Sequence, residues 1–270
     1  MAKGAKFLIL SAVAAAIAAP AGPLRAQGPN DLRSAFGEAF AGVEACAALR
    51  DVAPGAQAAL SDEAVCGRRL PPCATFDVAA TVIALDRGVA PDALAPVKRN
   101  PPVQGDPPDG VNLRDAMRQP VPWVYEEIAR RIGADAFAKS LGAMRYGNAE
   151  SGGPLERIGR GGGGRALALS AVEQLDFLAR LKRGELPTSA ESQARTVETL
   201  PVERAGDVPV VLKTGACDGA AWAIGWVERG ERSTLFAVVE SNPAPDSAND
   251  VAARTRKLLQ DLALTPAVPR

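Results

Sequence analysis

The sequence predicts an α+β fold: one antiparallel sheet built from both ends of the chain and flanked by helices, with a helical subdomain inserted between. Two observations lead there. Strand-like apolar runs stand at Val43–Leu49 and again at Val208–Lys213, Ala220–Glu228 and Thr234–Glu240, the last three joined by short turns as in a meander. Between these ends apolar residues recur mainly at helical spacing. Strands and helices segregated in this way belong to α+β proteins rather than to alternating α/β ones. With 270 residues, 47% of them hydrophobic, the chain can bury a core in one domain or two closely packed subdomains. No internal repeat is present.

The first residues read as an export signal. Lys3 and Lys6 give a basic start, Phe7–Ala19 is apolar apart from Ser11, Pro20 breaks the run, and small residues lead to Ala26. The apolar run is short for a bilayer span, so a cleaved leader is favoured over an uncleaved anchor. Cleavage is expected after Ala26, with Ala21 as the alternative, leaving residues 27–270 as the mature, periplasmic chain. No later apolar run is long enough to be a second span.

The elements then follow in order. Asn30 or Asp31 can cap a helix through about Ala41, with Leu32, Phe36 and Phe40 at four-residue spacing. After the strand Val43–Leu49 and a Pro54-Gly55 turn, a second strand is expected near Ala58–Cys66. A helix from Ala74 through Leu85 is apolar nearly all round, which places it in the centre. Residues 87–111, rich in proline and glycine, predict a long surface excursion. Helices are expected at Val121–Ile132 and Ala134–Met144. Gly161–Gly164 lacks the Lys-Ser/Thr of a phosphate loop and reads as a flexible turn. Ser170 and Glu173 form a capping box that opens a helix over Ala171–Lys182. Helices at Ala190–Leu200 and Asn249–Leu262 complete the reading.

Composition excludes several function classes. Lys+Arg and Asp+Glu both number 31, so no whole-chain field favours nucleic acid or an anionic membrane. Histidine is absent, which removes every Ser-His or Cys-His nucleophile pair and argues against an ordinary zinc site. No cofactor is called for. The four cysteines, Cys46, Cys66, Cys73 and Cys217, allow three complete pairings, of which Cys46 with Cys66 is preferred because both fall in neighbouring predicted strands.

Several segments carry a resemblance. Arg68-Arg69-Leu70-Pro71-Pro72-Cys73-Ala74-Thr75-Phe76-Asp77 is similar to the start of the central helix in class D β-lactamases, which read Pro-Ala-Ser-Thr-Phe-Lys there. Ala84-Leu85-Asp86-Arg87-Gly88-Val89 continues it. So do Leu113–Met117, Val124–Gly133, Tyr146-Gly147-Asn148, Ser170–Gln174 and Leu186-Pro187. Lys213-Thr214-Gly215, Ala221-Trp222 and Gly225–Glu228 resemble that family's Lys-Thr-Gly strand and the strand after it. Each motif alone is weak, but their order and spacing span the mature chain. The resemblance implies the serine β-lactamase and penicillin-binding fold, with a pocket between sheet edge and helices.

It also shows what has changed. The family's serine nucleophile and its lysine base, carbamylated there, lie one helical turn apart on one face. Here those positions hold Ala74 and Asp77, and the serine of a second motif, Ser-x-Val, is replaced by Pro120. The family's tryptophan over the carbamate falls near Gly162, and its carboxylate-binding arginine near Asp250, with Arg254 and Arg256 as possible substitutes. Each replacement suits the scaffold. Asp77 suits a helix's first turn, Pro120 and Pro122 suit a helix start, and Ala74 favours helix. The resemblance assigns ligand binding to Lys213, Thr214 and Gly215. Tyr146 and Asn148 belong to the same set but are expected to shape their loop more than to touch a ligand. Cys73 adjoins the nucleophile position, but about 100° of helix rotation turns it elsewhere, so a buried or disulfide cysteine is expected.

The leading reading is therefore a class D β-lactamase-like protein, catalytically impaired or inactive, that keeps a pocket for a β-lactam or peptidoglycan-like carboxylate. The alternative is an active class D β-lactamase, conferring antibiotic resistance by β-lactam hydrolysis through an unrecognised nucleophile. A third reading is a scaffold with a vestigial pocket and a partner on another face.

Overall fold

The computed structural model describes residues 29–150, 166–244 and 247–267. The segment expected to be an export signal and the Gly161–Gly164 run lie outside these residues. Helix α1 (Pro29–Ala39) leads to β1 (Ala45–Asp51) and a two-residue β2 (Ala59–Leu60). Here the structure departs from the expected strand Ala58–Cys66. Asp62 caps a short helix, α2 (Glu63–Cys66), by accepting a hydrogen bond from the Val65 N–H at 2.9 Å. A capping carboxylate just after Ser61 turns the chain out of extended geometry, so Cys66 reaches Cys46 from a helix, not from a neighbouring strand.

A 3-10 turn, Cys73–Thr75, winds into α3 (Phe76–Asp86). Val78, Ala79, Ala80, Val82, Ile83 and Ala84 are all buried, so α3 is the central helix its composition predicts. The following excursion is less superficial than expected. Ala90, Ala93 and Val97 are buried, and β3 (Pro96–Val97) pairs with β4 (Val111–Asn112). Helix α4 (Leu113–Arg118) starts at Asn112, whose side chain accepts from the Asp115 N–H. Next come α5 (Pro122–Ile132) and α6 (Ala134–Ala143). From α5, buried Glu127 accepts from Arg130 and Arg131, which in turn donate to the carbonyls of Asn100 and Lys98 and pin the excursion down.

The capping box forms as read. Ser170 Oγ accepts from the Glu173 N–H, and Glu173 accepts from the Ser170 N–H, opening α7 (Ala171–Arg183). Helix α8 (Ala190–Thr199) is followed by β5 (Val202–Ala205), a strand the sequence hides because Val-Glu-Arg-Ala has little apolar periodicity. The meander is β6 (Val208–Cys217), β7 (Ala220–Arg229) and β8 (Arg232–Ser241), and α9 (Ala248–Asp261) closes the fold.

These strands make one six-stranded antiparallel sheet in the order β2-β1-β8-β7-β6-β5, so the N-terminal strand pairs with the last one. Side chains alternate faces along a strand. Trp222, Ile224 and Trp226 of β7 point to the side of α3 and α7, while Ala221, Ala223 and Val227 point to the side of α1 and α9. Both faces are covered, which is why β7 is buried for eight consecutive residues. Among the described residues no helix is long and apolar enough to cross a membrane.

The β6–β7 contact is tight at Gly225, where a Cβ would come within 1.8 Å of the Val211 carbonyl oxygen. Gly225→Ala should cost about 3 kcal/mol or more, because a backbone carbonyl in mid-sheet cannot yield. Gly37 in α1 has open space around it, and Gly37→Ala should stabilise by about 0.5–1 kcal/mol. Urea unfolding of the two variants beside the parent measures both signs.

Candidate functional site

The structure places a cleft of about 1010 Å³ where the edge of β6 meets the start of α3 and the α4–α5 turn. Local chemistry sets its floor. Pro71 and Pro72 end the preceding extended chain, and the Trp222 indole N–H donates to the Pro71 carbonyl at 2.8 Å. Thr75 Oγ1 donates to the Pro72 carbonyl at 2.6 Å, winding the turn that presents Ala74. Across from it, Gly215 packs directly on that turn: a Cβ there would stand 2.5 Å from the Ala74 nitrogen and 2.9 Å from its Cα. Only glycine permits this approach of strand to helix.

A disulfide fastens the same seam. Cys73 is bonded to Cys217, with Cα atoms 5.4 Å apart; Cys73 immediately precedes Ala74, and Cys217 stands two residues after Gly215. Cys46 is bonded to Cys66, the pairing preferred from the sequence. Cys73 is thereby the disulfide cysteine it was expected to be, and it holds no free thiol.

Ala74, Asp77 and Pro120 all line the cleft, as do Lys213, Thr214 and Gly215. Residues from three distant stretches of sequence thus converge. Their arrangement differs from the expected one in a specific way. Lys213 does not offer a free ammonium. Its Nζ donates to Asp77 Oδ2 at 3.0 Å and to the Met117 carbonyl at 3.0 Å, and its side chain is only 8% exposed. At an effective dielectric of about 20, unit charges roughly 4 Å apart attract by about 4 kcal/mol, much of it offset by desolvation. A third charge arriving beside this pair meets an attraction and a repulsion of similar size. Asp77 also sits in the first turn of α3, as expected, where the helix dipole favours a carboxylate.

Pro122 occupies the first turn of α5, as predicted, whereas Pro120 stands before it in the connecting turn and contributes a ring, not a hydroxyl. Tyr125, which lies in the resembling segment Val124–Gly133 but is assigned no role by that resemblance, also lines the cleft. Thr81 Oγ1 donates to its phenol oxygen, and burial, followed by the nearby Asp77 charge, pushes the phenol well above its ordinary pKa, so it stays protonated.

The structure moves Tyr146 and Asn148 out of the ligand-binding set. Tyr146 is fully buried, packs edge-on against Phe177, and donates to Gln174 Oε1 at 3.2 Å. The Asn148 side chain donates to the Ala166 carbonyl and accepts from the Ala168 N–H, tying two loops together. Neither lines the cleft; both shape the loop beside it. Of the two candidate arginines, Arg254 pairs with buried Glu240 at 2.7 Å, while Arg256 lines the cleft. The Arg256 guanidinium donates to both oxygens of Glu203, at 2.8 and 2.7 Å. Glu203 could not be foreseen because it lies on the unrecognised strand β5.

Residues 46–260 match the penicillin binding protein transpeptidase domain. The chain is 33% identical over 216 residues to β-lactamase OXA-2 of Salmonella typhimurium, covering 75% of this chain and 74% of that protein. The chain belongs to the class D β-lactamase family. β-Lactamase OXA-48 of Klebsiella pneumoniae is 32% identical over 205 residues, 72% of this chain and 75% of that one. Among solved structures, the class D β-lactamase YbXI from Nostoc superposes with a TM-score of 0.74 at 25% identity, covering 86% of this chain and 98% of that one. FUS-1 (OXA-85) from Fusobacterium nucleatum subsp. polymorphum gives 0.75 at 20% identity, over 87% and 98%, which shows the shared fold.

The Cys73–Cys217 bond closes a loop of 144 residues. In a chain-entropy account such a loop is worth about 3–5 kcal/mol. The Cys73→Ser/Cys217→Ser variant should lose stability of that order and loosen the seam. Thermal unfolding reads the first effect, and faster amide hydrogen exchange at Ala74 and Gly215 reads the second.

Proposed function

We propose that this chain is an exported, periplasmic relative of class D β-lactamases that does not hydrolyse β-lactams and holds a β-lactam or peptidoglycan-like small molecule reversibly in its cleft. One observation carries the reading: inside an otherwise fully built cleft, the nucleophile position is a methyl group and the base position is a carboxylate already ion-paired with Lys213.

Each part bears on a separate step. Acyl transfer to the enzyme needs a nucleophilic oxygen or sulfur at the start of α3. Ala74 has neither, and the adjacent Cys73 sulfur is held in a disulfide. An amine at the base position could be carbamylated; Asp77 cannot. Proton delivery to a leaving nitrogen needs a hydroxyl where Pro120 supplies only carbon. Losing members of one catalytic unit costs orders of magnitude in rate, and the losses do not simply add. The cleft's walls meanwhile include Thr214 and Gly215, which favours binding without covalent chemistry. The apolar segment Phe7–Ala19, with its basic start and small residues up to Ala26, supports export, and four cysteines in two disulfides suit an oxidising compartment.

The mature protein is expected to give no turnover of a chromogenic cephalosporin above buffer, and no mass increase of the intact chain after incubation with penicillin. The Ala74→Ser/Asp77→Lys variant should acquire a penicilloyl adduct visible by the same mass measurement. Turnover by the parent that disappears on mutation of a cleft residue would sink the reading.

A further inference from the structure

We infer that Asp77 is a specificity-determining residue: by occupying Lys213 with a carboxylate of the chain's own, it makes the cleft accept uncharged amide- or ester-terminated acyl peptides in preference to the corresponding free acids. This rests on the reading that the cleft holds a small molecule, and it names which chemical form of that molecule is held.

The argument is geometric. An ammonium recognises a ligand carboxylate when its charge is uncompensated and its N–H groups point to the ligand. Lys213 meets neither condition. Two of its three donors are directed at Asp77 Oδ2 and the Met117 carbonyl, each at 3.0 Å, and the side chain is almost wholly buried. The anion that completes it is fixed on α3 and lines the same cleft. A ligand carboxylate placed near Lys213 would therefore stand close to the Asp77 carboxylate as well, with no net cation to draw it in.

The second cation repeats the pattern. Arg256 reaches the cleft from α9 with both oxygens of Glu203 already on its guanidinium. Lys213 and Arg256 are each matched by an acid of the chain, and with Arg118, Glu126 and Asp218 the lining holds three cations against four acids, so the cleft carries no excess of positive charge. Thr214, which also lines it, brings a hydroxyl that suits the carbonyl of an amide or ester and requires no ionic partner.

The test compares N-acetyl-D-alanyl-D-alanine with its C-terminal amide and methyl ester, by titration calorimetry on the full mature chain with both disulfides intact. The wild-type protein should bind the amide and ester at least tenfold more tightly than the acid. Asp77→Asn keeps an oxygen for the Lys213 ammonium but removes the charge. It should reverse the order, gaining tenfold or more for the acid, and Asp77→Asn/Lys213→Met should lose that gain. A wild-type preference for the acid, or a folded Asp77→Asn variant with unchanged acid affinity, overturns the inference and leaves reversible binding standing. If neither form binds either protein, the reversible-binding reading itself fails, and this inference with it. Should Asp77→Asn not fold, as a melting curve would reveal, the wild-type ranking of acid against amide still decides.

Discussion

The arrangement of the whole molecule turns on one seam, where the backbone of β6 at Gly215 lies against the backbone of the turn at Ala74 with no side chain between them. A sheet edge and a helix start rarely come so close, because a Cβ normally intervenes. Glycine removes that obstacle, Cys73–Cys217 ties the two segments covalently, and Lys213–Asp77 ties them electrostatically one turn further on. The central helix is thereby fixed to the sheet at its first turn, and α4, α5, α6 and α8 pack around it. The cleft is what remains at the open side of this seam.

Ala74, Asp77 and Pro120 each fit that seam. In the arrangement the family resemblance implies, the position of Asp77 carries a carbamylated lysine, an anionic group on a longer stem. Asp77 is an anion fixed close to the helix backbone, and the buried Lys213 has it as a partner at hydrogen-bond distance. A buried cation without a partner is expensive, whereas a paired one is tolerable. Pro120 and Pro122 stiffen the turn before α5 that forms the opposite wall. The cleft's buried cation is thus satisfied from within the chain, on the family's scaffold.

Much of the fold was legible because its signals are local. The apolar run of α3, the Ser170–Glu173 capping box and the meander β6–β8 are each set by residues within a few positions of one another. What stayed hidden depended on partners far away or on polar composition. Strand β5 is Val-Glu-Arg-Ala, two adjacent charged residues between two apolar ones, and it exists because β6 offers it an edge. Cys66 sits in a helix because Asp62 captures a backbone N–H, a competition that apolar periodicity cannot register. At the site, the positions of Ala74, Asp77, Pro120 and Lys213 could be placed by resemblance. The contact between Asp77 and Lys213 could not, since 136 residues separate them and neither side chain announces its direction.

The pairing of β1 with β8 has a kinetic side. Ala45 lies opposite Glu240, so this ladder joins nearly the two ends of the chain, whereas β6, β7 and β8 follow one another through tight turns. Closure entropy grows with the length of chain to be looped, so the meander is the inexpensive part of the sheet and the β1 ladder the costly one. Contacts of such long range slow folding more than they weaken the finished structure. Until β8 is available, β1 and the residues after it have no sheet to join. The N-terminal strand of this protein is thus the part that must wait longest for its neighbour.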